Sequence, residues 1–109
     1  MTGIYQRQRK NKYILPTAVY NHTIWQIRDY RRLKEALVIL PPDDEAVDGI
    51  KRITDVIEAG INEVPAEYRR GVWDSIQERK RFPLDADRST YGRYKAMFVR
   101  YVAERLNYV

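Results

Sequence analysis

The chain has no cysteine, which excludes disulfides, thiolate metal sites and a cysteine nucleophile. It has one histidine, His22, which argues against a histidine-built zinc site and against a Ser-His-Asp triad. Five glycines and five prolines are too few for a β-sandwich rich in turns. The longest purely apolar run, Ala36 to Leu40, is far short of a membrane span. The N-terminus is polar and basic and no apolar segment follows it, so it does not read as a signal peptide. A cytoplasmic location, with no membrane partner, is the default expectation. The 109 residues suit one domain with one modest core, and most small-molecule enzymes need more chain to build a cleft. A binding module is therefore expected ahead of an enzyme.

What the chain does have is charge, unevenly placed. The net charge of +5 divides into +4 over residues 1–13, +2 over 14–40, −6 over 41–67 and +5 over 68–109. Two basic ends around an acidic middle point to a polyanion partner for one face. Hydrophobic residues at 44% and charged residues at 32% remain in the ordinary globular range.

The apolar spacing predicts an all-α fold, a small bundle of about four helices. Residues 1–13 show no lasting periodicity and read as a flexible basic arm, leaving 14–109 as one helical domain. A first helix is expected from Pro16 or Thr17 to about Leu40, where Pro41-Pro42 ends it. Val19, Tyr30, Leu33 and Leu37 form its stripe, with Ile27 and Leu40 at the edges. Trp25 and Ile39 fall off that stripe, which marks a second contact surface, either a dimer interface or a side wrapped by the bundle. A second helix is expected from Asp43 or Asp44, with Val47, Ile50, Ile53, Ile57, Ile61 and Val64 inward. Its acidic side, Asp48, Asp55 and Glu63, reads as a solvated face, because carboxylates spread along a helix do not converge on a metal. Gly49 and Gly60 are candidates for close packing.

Pro65 restarts the chain. A third helix over about Ala66–Lys80 places Tyr68, Val72, Trp73 and Ile76 inward, and Arg79, Lys80 and Arg81 at its end suit the helix dipole. The linker Phe82-Pro83-Leu84-Asp85-Ala86 leads to a fourth helix from Asp87 or Ser89 to about Asn107. Its apolar face is Tyr91, Tyr94, Phe98, Tyr101 and Val102. Met97 and Leu106 border that face, and Arg93, Arg100 and Glu104 lie opposite.

The fourth helix has the polarity of a DNA reader. Its first turns offer Arg88, Ser89, Thr90 and Arg93, and its later part is an apolar docking face. A recognition helix puts its N-terminal residues against base edges. Hydroxyls and backbone N–H groups hold phosphate there, and arginine forks onto guanine O6 and N7. Lys95 and Arg100 are placed to reach flanking phosphates.

Residues 65–106 resemble the C-terminal segment of the RinA-like phage transcriptional regulators. The resemblance rests on Pro65, Tyr-Arg-x-Gly-Val-Trp at Tyr68–Trp73, Ile76, Pro83 and Thr-x-x-Arg-x-x-x-x-Phe-x-x-x-Val-Ala at Thr90–Ala103. The segment Leu15-Pro-x-x-Val-Tyr-Asn-x-Thr-x-Trp-x-Ile-Arg-Asp-Tyr is similar as well, so the likeness spans about 14–108. It implies a small activator of late genes in a phage or prophage of Gram-positive-type bacteria. It also implies a C-terminal helix-turn-helix similar to region 4 of sigma-70-type factors. Arg88, Ser89, Thr90 and Arg93 then become the base and phosphate contacts, on a scaffold of Tyr68, Val72, Trp73, Tyr94 and Phe98. Two departures stand out. Only Phe82–Ala86 separates the last two helices, so the module is abbreviated or the third helix itself acts as its first, and Gly92 sits where a polar side chain is expected.

The leading expectation is a DNA-binding regulator with double-stranded DNA as partner and no cofactor or metal. A homodimer on paired half-sites is a general habit of such proteins. The alternative is a protein-interaction adaptor on RNA polymerase or a phage protein, carried by Trp25, Ile39 and the acidic side. RNA binding through stacked tyrosines ranks third, since most tyrosines fall on core faces. An enzyme ranks last. A His22 nuclease would lean on Asp29, two turns away on a similar face, and a lone histidine on a helix is more often structural.

Overall fold

The computed structural model describes residues 14–83 and 87–109. The basic arm and Leu84-Asp85-Ala86 of the linker lie outside these. Among the described residues there are five helices: α1 Thr17–Arg28, α2 Tyr30–Ile39, α3 Ala46–Glu63, α4 Ala66–Gln77 and α5 Arg88–Arg105. There is no strand among the described residues, and the molecule is a small helical bundle.

The expected long first helix is two helices. The chain is interrupted at Asp29 alone, whose N–H still reaches Trp25 O at 3.1 Å and whose carbonyl accepts from Leu33 N–H at 3.0 Å. Arg32 holds the Asp29 carboxylate, with Nε 2.7 Å from Oδ1. The reason for the break is tertiary: α1 packs on α4 and α5, while α2 packs on α3. The change of partners also alters the stripe, so Thr23, Ile24 and Ile27 are the buried residues of α1, and Leu33 is buried in α2.

Prolines set the other boundaries. Leu40 is extended before Pro41-Pro42, and Val64 is extended before Pro65, as steric conflict with a following proline ring requires. The α3–α4 corner is clamped by Arg69, which donates from Nε to Val64 O (2.7 Å) and from Nη2 to Asn62 O (2.9 Å). Helix α3 begins at Ala46, two residues beyond Asp44, whose Oδ1 accepts from Ala46 N–H. Its stripe is as expected, with Ile57 and Val64 fully buried and Val47, Ile50, Ile53 and Ile61 half-buried. Asp48, Asp55 and Glu63 are exposed. Gly60 is a close-packing point, because a Cβ there would meet Tyr101 and Phe98 at 2.9–3.0 Å; one on Gly49 would meet nothing.

Helix α5 packs against α1, α3 and α4 and is the centre of the bundle. Tyr91, Phe98 and Val102 are buried on the expected face, and Val99 and Ala103 are buried on a second one. Periodicity alone finds one apolar face, whereas a central helix is covered on several. Helix α4 stops at Gln77, short of Lys80, and Arg79 takes a left-handed backbone with φ 55°. The described residues between α4 and α5, 78–83 and 87, are outside any helix, so the two helices lie further apart in sequence than the linker expected and than the 3–4-residue turn of a helix-turn-helix.

Candidate nucleic-acid interface

The end of α4 is stitched to the end of α1. Arg28 donates from Nε to Ile76 O (2.8 Å), and Gln77 donates from Nε2 to Ile27 O (2.7 Å). Just beyond, the left-handed Arg79 turns the chain so that Lys80, Arg81 and Phe82 run out towards the start of α5. Phe82 fixes this stretch by stacking on Tyr91 with ring centres 5.1 Å apart. Tyr91 is buried and meets Tyr68 of α4 edge-on at 5.0 Å.

The result is an open groove of about 580 Å³. Lys80, Arg81, Arg88 and Lys95 line it, with Phe82 and Ser75, and no described lining residue is acidic. Arg81 and Arg88 form no ion pair among the described residues, while Lys80 bridges the exposed Glu78 at 2.7 Å. Lys95 is half-buried and donates to Ser75 Oγ at 3.0 Å. Burial, and then the nearby Arg28 charge, push its pKa down from the ordinary lysine value. Cations of one sign against partly dry walls focus a positive potential. Such a groove favours an anionic ligand, whose charge would offset the burial and the Arg28 repulsion at Lys95.

The six residues expected to contact DNA do not share one face. Arg88 and Lys95 are in the groove. Ser89 and Arg93 lie on the neighbouring exposed side of α5, with the Arg93 guanidinium 5.5 Å from the Tyr94 ring centre. Thr90 is part of the helix cap: its Oγ1 donates to Asp87 Oδ2 at 2.9 Å. Asp87 Oδ1 also accepts from the N–H groups of Ser89 (2.9 Å) and Thr90 (3.4 Å). These bonds, the Thr90 hydroxyl first, hold the Asp87 carboxyl below its usual pKa. The first-turn donors expected to grip phosphate are therefore already taken by a carboxylate. Arg100 pairs with Glu104 at 2.7 Å and donates to Ile14 O at 3.4 Å, which ties α5 to the chain entering α1. Thr90 and Arg100 fasten the structure.

Lys80 and Arg81 were legible only as partners for a helix dipole, yet the helix ends before them. The signal available was the run Arg79-Lys80-Arg81 directly ahead of Phe82-Pro83. Elsewhere, the His22 ring packs edge-on against Tyr108 at 4.4 Å, and Asp29 is held by Arg32, so this pair is engaged separately. Trp25 is 61% exposed and Ile39 80% exposed, so the bundle does not wrap this second side; Val38 joins them at 86%. No cluster among the described residues brings together three metal-ligating groups. No described helix is long and apolar enough to cross a membrane. No protein-family model, curated protein or solved structure matches this chain.

Proposed function

We propose that the protein is a phage or prophage transcriptional regulator that binds double-stranded DNA at the junction of α4 and α5. The observation that carries this reading is the convergence of Lys80, Arg81, Arg88 and Lys95 on one groove with no described acidic residue in its lining. The resemblance of the α4–α5 segment to the RinA-like regulators supports it. In this reading the groove takes the sugar-phosphate backbone, and Ser89 and Arg93 on the adjacent side of α5 face base edges. Binding needs no cofactor, takes place in the cytoplasm of a bacterial host, and follows the half-site logic of a homodimer.

Fluorescence anisotropy of a random duplex from about 50 to 200 mM salt tests it, since phosphate-driven binding falls steeply over that range. Arg81→Ala/Arg88→Ala should weaken binding and reduce the salt slope by about two, one per phosphate contact. Arg100→Ala should leave the slope unchanged. No binding at the low-salt end, or a slope indifferent to the double substitution, refutes the proposal. The second reading, an adaptor on RNA polymerase, is favoured by Val38 and Ile39, exposed at the end of α2. A stable complex with polymerase and no affinity for DNA would replace the first reading with this one.

A further inference from the structure

We propose that Trp25 is a stacking platform for an unpaired base, so that the preferred ligand is a duplex carrying a single-stranded extension. The inference rests on reading the α4–α5 groove as a DNA-backbone site. Trp25 lies on α1 and is 61% exposed, although α1 is a packed helix of the bundle. Two guanidiniums lie over the ring, Arg28 at 5.3 Å and Arg79 at 6.0 Å from its centre, and a stacking base would share the exposed indole with them. Neither forms an ion pair with a described residue. Arg28 is held in place by Ile76 O, and Arg79 by the left-handed turn that ends α4.

The aromatic site neighbours the groove without sharing a lining residue with it. Arg79 directly precedes Lys80 and Arg81, and the Arg28 charge acts on Lys95. A shallow depression of about 340 Å³ lies beside the ring, lined by His22, Gln26, Arg28 and Asp29. Its one described acid, Asp29, is neutralised by Arg32. An exposed indole under two guanidiniums, close to a cationic groove, matches a strand that offers a base face and phosphates in alternation. Every base has a π-face, so such stacking tolerates sequence.

The test is competition anisotropy with a blunt duplex and the same duplex bearing a short single-stranded tail. The tailed duplex should bind about tenfold more tightly, a typical effect of stacking one base. Trp25→Ala should abolish that difference while preserving affinity and salt slope for the blunt duplex. Trp25→Tyr should keep most of it. The chain has two tryptophans, and Trp73 is half-buried beside Tyr30 and Phe98. In a Trp73→Phe background, the emission of Trp25 should be quenched by the tailed duplex and not by the blunt one. Equal affinities for the two duplexes overturn the inference, and so does a tail preference that survives Trp25→Ala. In both cases the groove reading stands if blunt binding remains salt-dependent. If neither duplex binds, the groove reading fails and takes this inference with it.

Discussion

Gly71 and Gly92 are both helical, and the same substitution should have opposite effects at the two positions. Glycine costs about 1 kcal/mol against alanine in a helix interior, so Gly→Ala is stabilising by default. At Gly92, a Cβ would have nothing within 4 Å. Gly92→Ala should therefore stabilise by about 0.5–1 kcal/mol, a rise of roughly 2–6 °C in Tm for a chain of this size. At Gly71 a Cβ would overlap the edge of the Tyr91 ring, lying in hard contact with Cε1 and 3.0 Å from Cδ1. Tyr91 has little room to yield, being buried, stacked on Phe82 and edge-on to Tyr68. Overpacking of that kind costs about 1–3 kcal/mol, which exceeds the propensity gain. Gly71→Ala should be destabilising by roughly 0–2 kcal/mol net, and the two variants should differ by about 1–3 kcal/mol. Urea denaturation with a shared m-value measures the difference. Because Tyr91 anchors Phe82 on the groove wall, Gly71→Ala should also weaken duplex binding more than its stability loss explains. A Gly71→Ala variant as stable as Gly92→Ala would refute the packing argument.

Three other outcomes are expected. Lys95→Met should lower duplex affinity and cut the salt slope by about one, yet leave urea stability unchanged or raised, because it removes a half-buried cation whose charged form is disfavoured. Tyr30 donates to Glu58 Oε2 at 2.6 Å, and burial first, then this bond, pushes the tyrosine up to about 12, so Tyr30→Phe should cost about 1 kcal/mol at neutral pH. A folded-state pKa above the unfolded one gives stability that is complete below pH ~10 and lost as pH rises towards about 12. Alkaline melting curves should show a smaller loss in Tyr30→Phe than in the native chain, because Tyr20 and Tyr108, also pushed up by burial, remain in both. Asp87 has the opposite sign: its carboxyl is held below the usual value by the cap, so its stability contribution is present above pH ~4 and disappears as pH falls further. Asp87→Ala should lower Tm at pH 7 and converge with the native chain in strong acid.

The candidate site was partly legible. Arg88 and Lys95 stood out as basic residues on the last helix, and the structure brings them to one groove. Thr90 and Arg100 looked equivalent to them in one dimension. Whether a hydroxyl caps its own helix or faces a ligand depends on where the Asp87 carboxylate points. Whether Arg100 is free depends on Glu104, one turn away, and on Ile14, far off in sequence. Lys80 and Arg81 are hidden in one dimension, because a helix expected to reach Lys80 ends at Gln77 and its basic end looks like a partner for the helix dipole.

What the chain determines by itself is local. The prolines at 41, 42 and 65 end or start helices through a steric rule that needs no partner, and the stripe Ile57, Val64, Val72 and Ile76 follows from one apolar face per turn of helix. The absence of cysteine and of long apolar runs is likewise independent of folding. The tertiary structure alone decides the break at Asp29, the second buried side of α5 at Val99 and Ala103, and the meeting of Lys80 and Arg81 with Arg88 and Lys95. Each of these depends on which helices share a contact. A periodic pattern says that a face must be covered, and only packing says by what, and on how many sides.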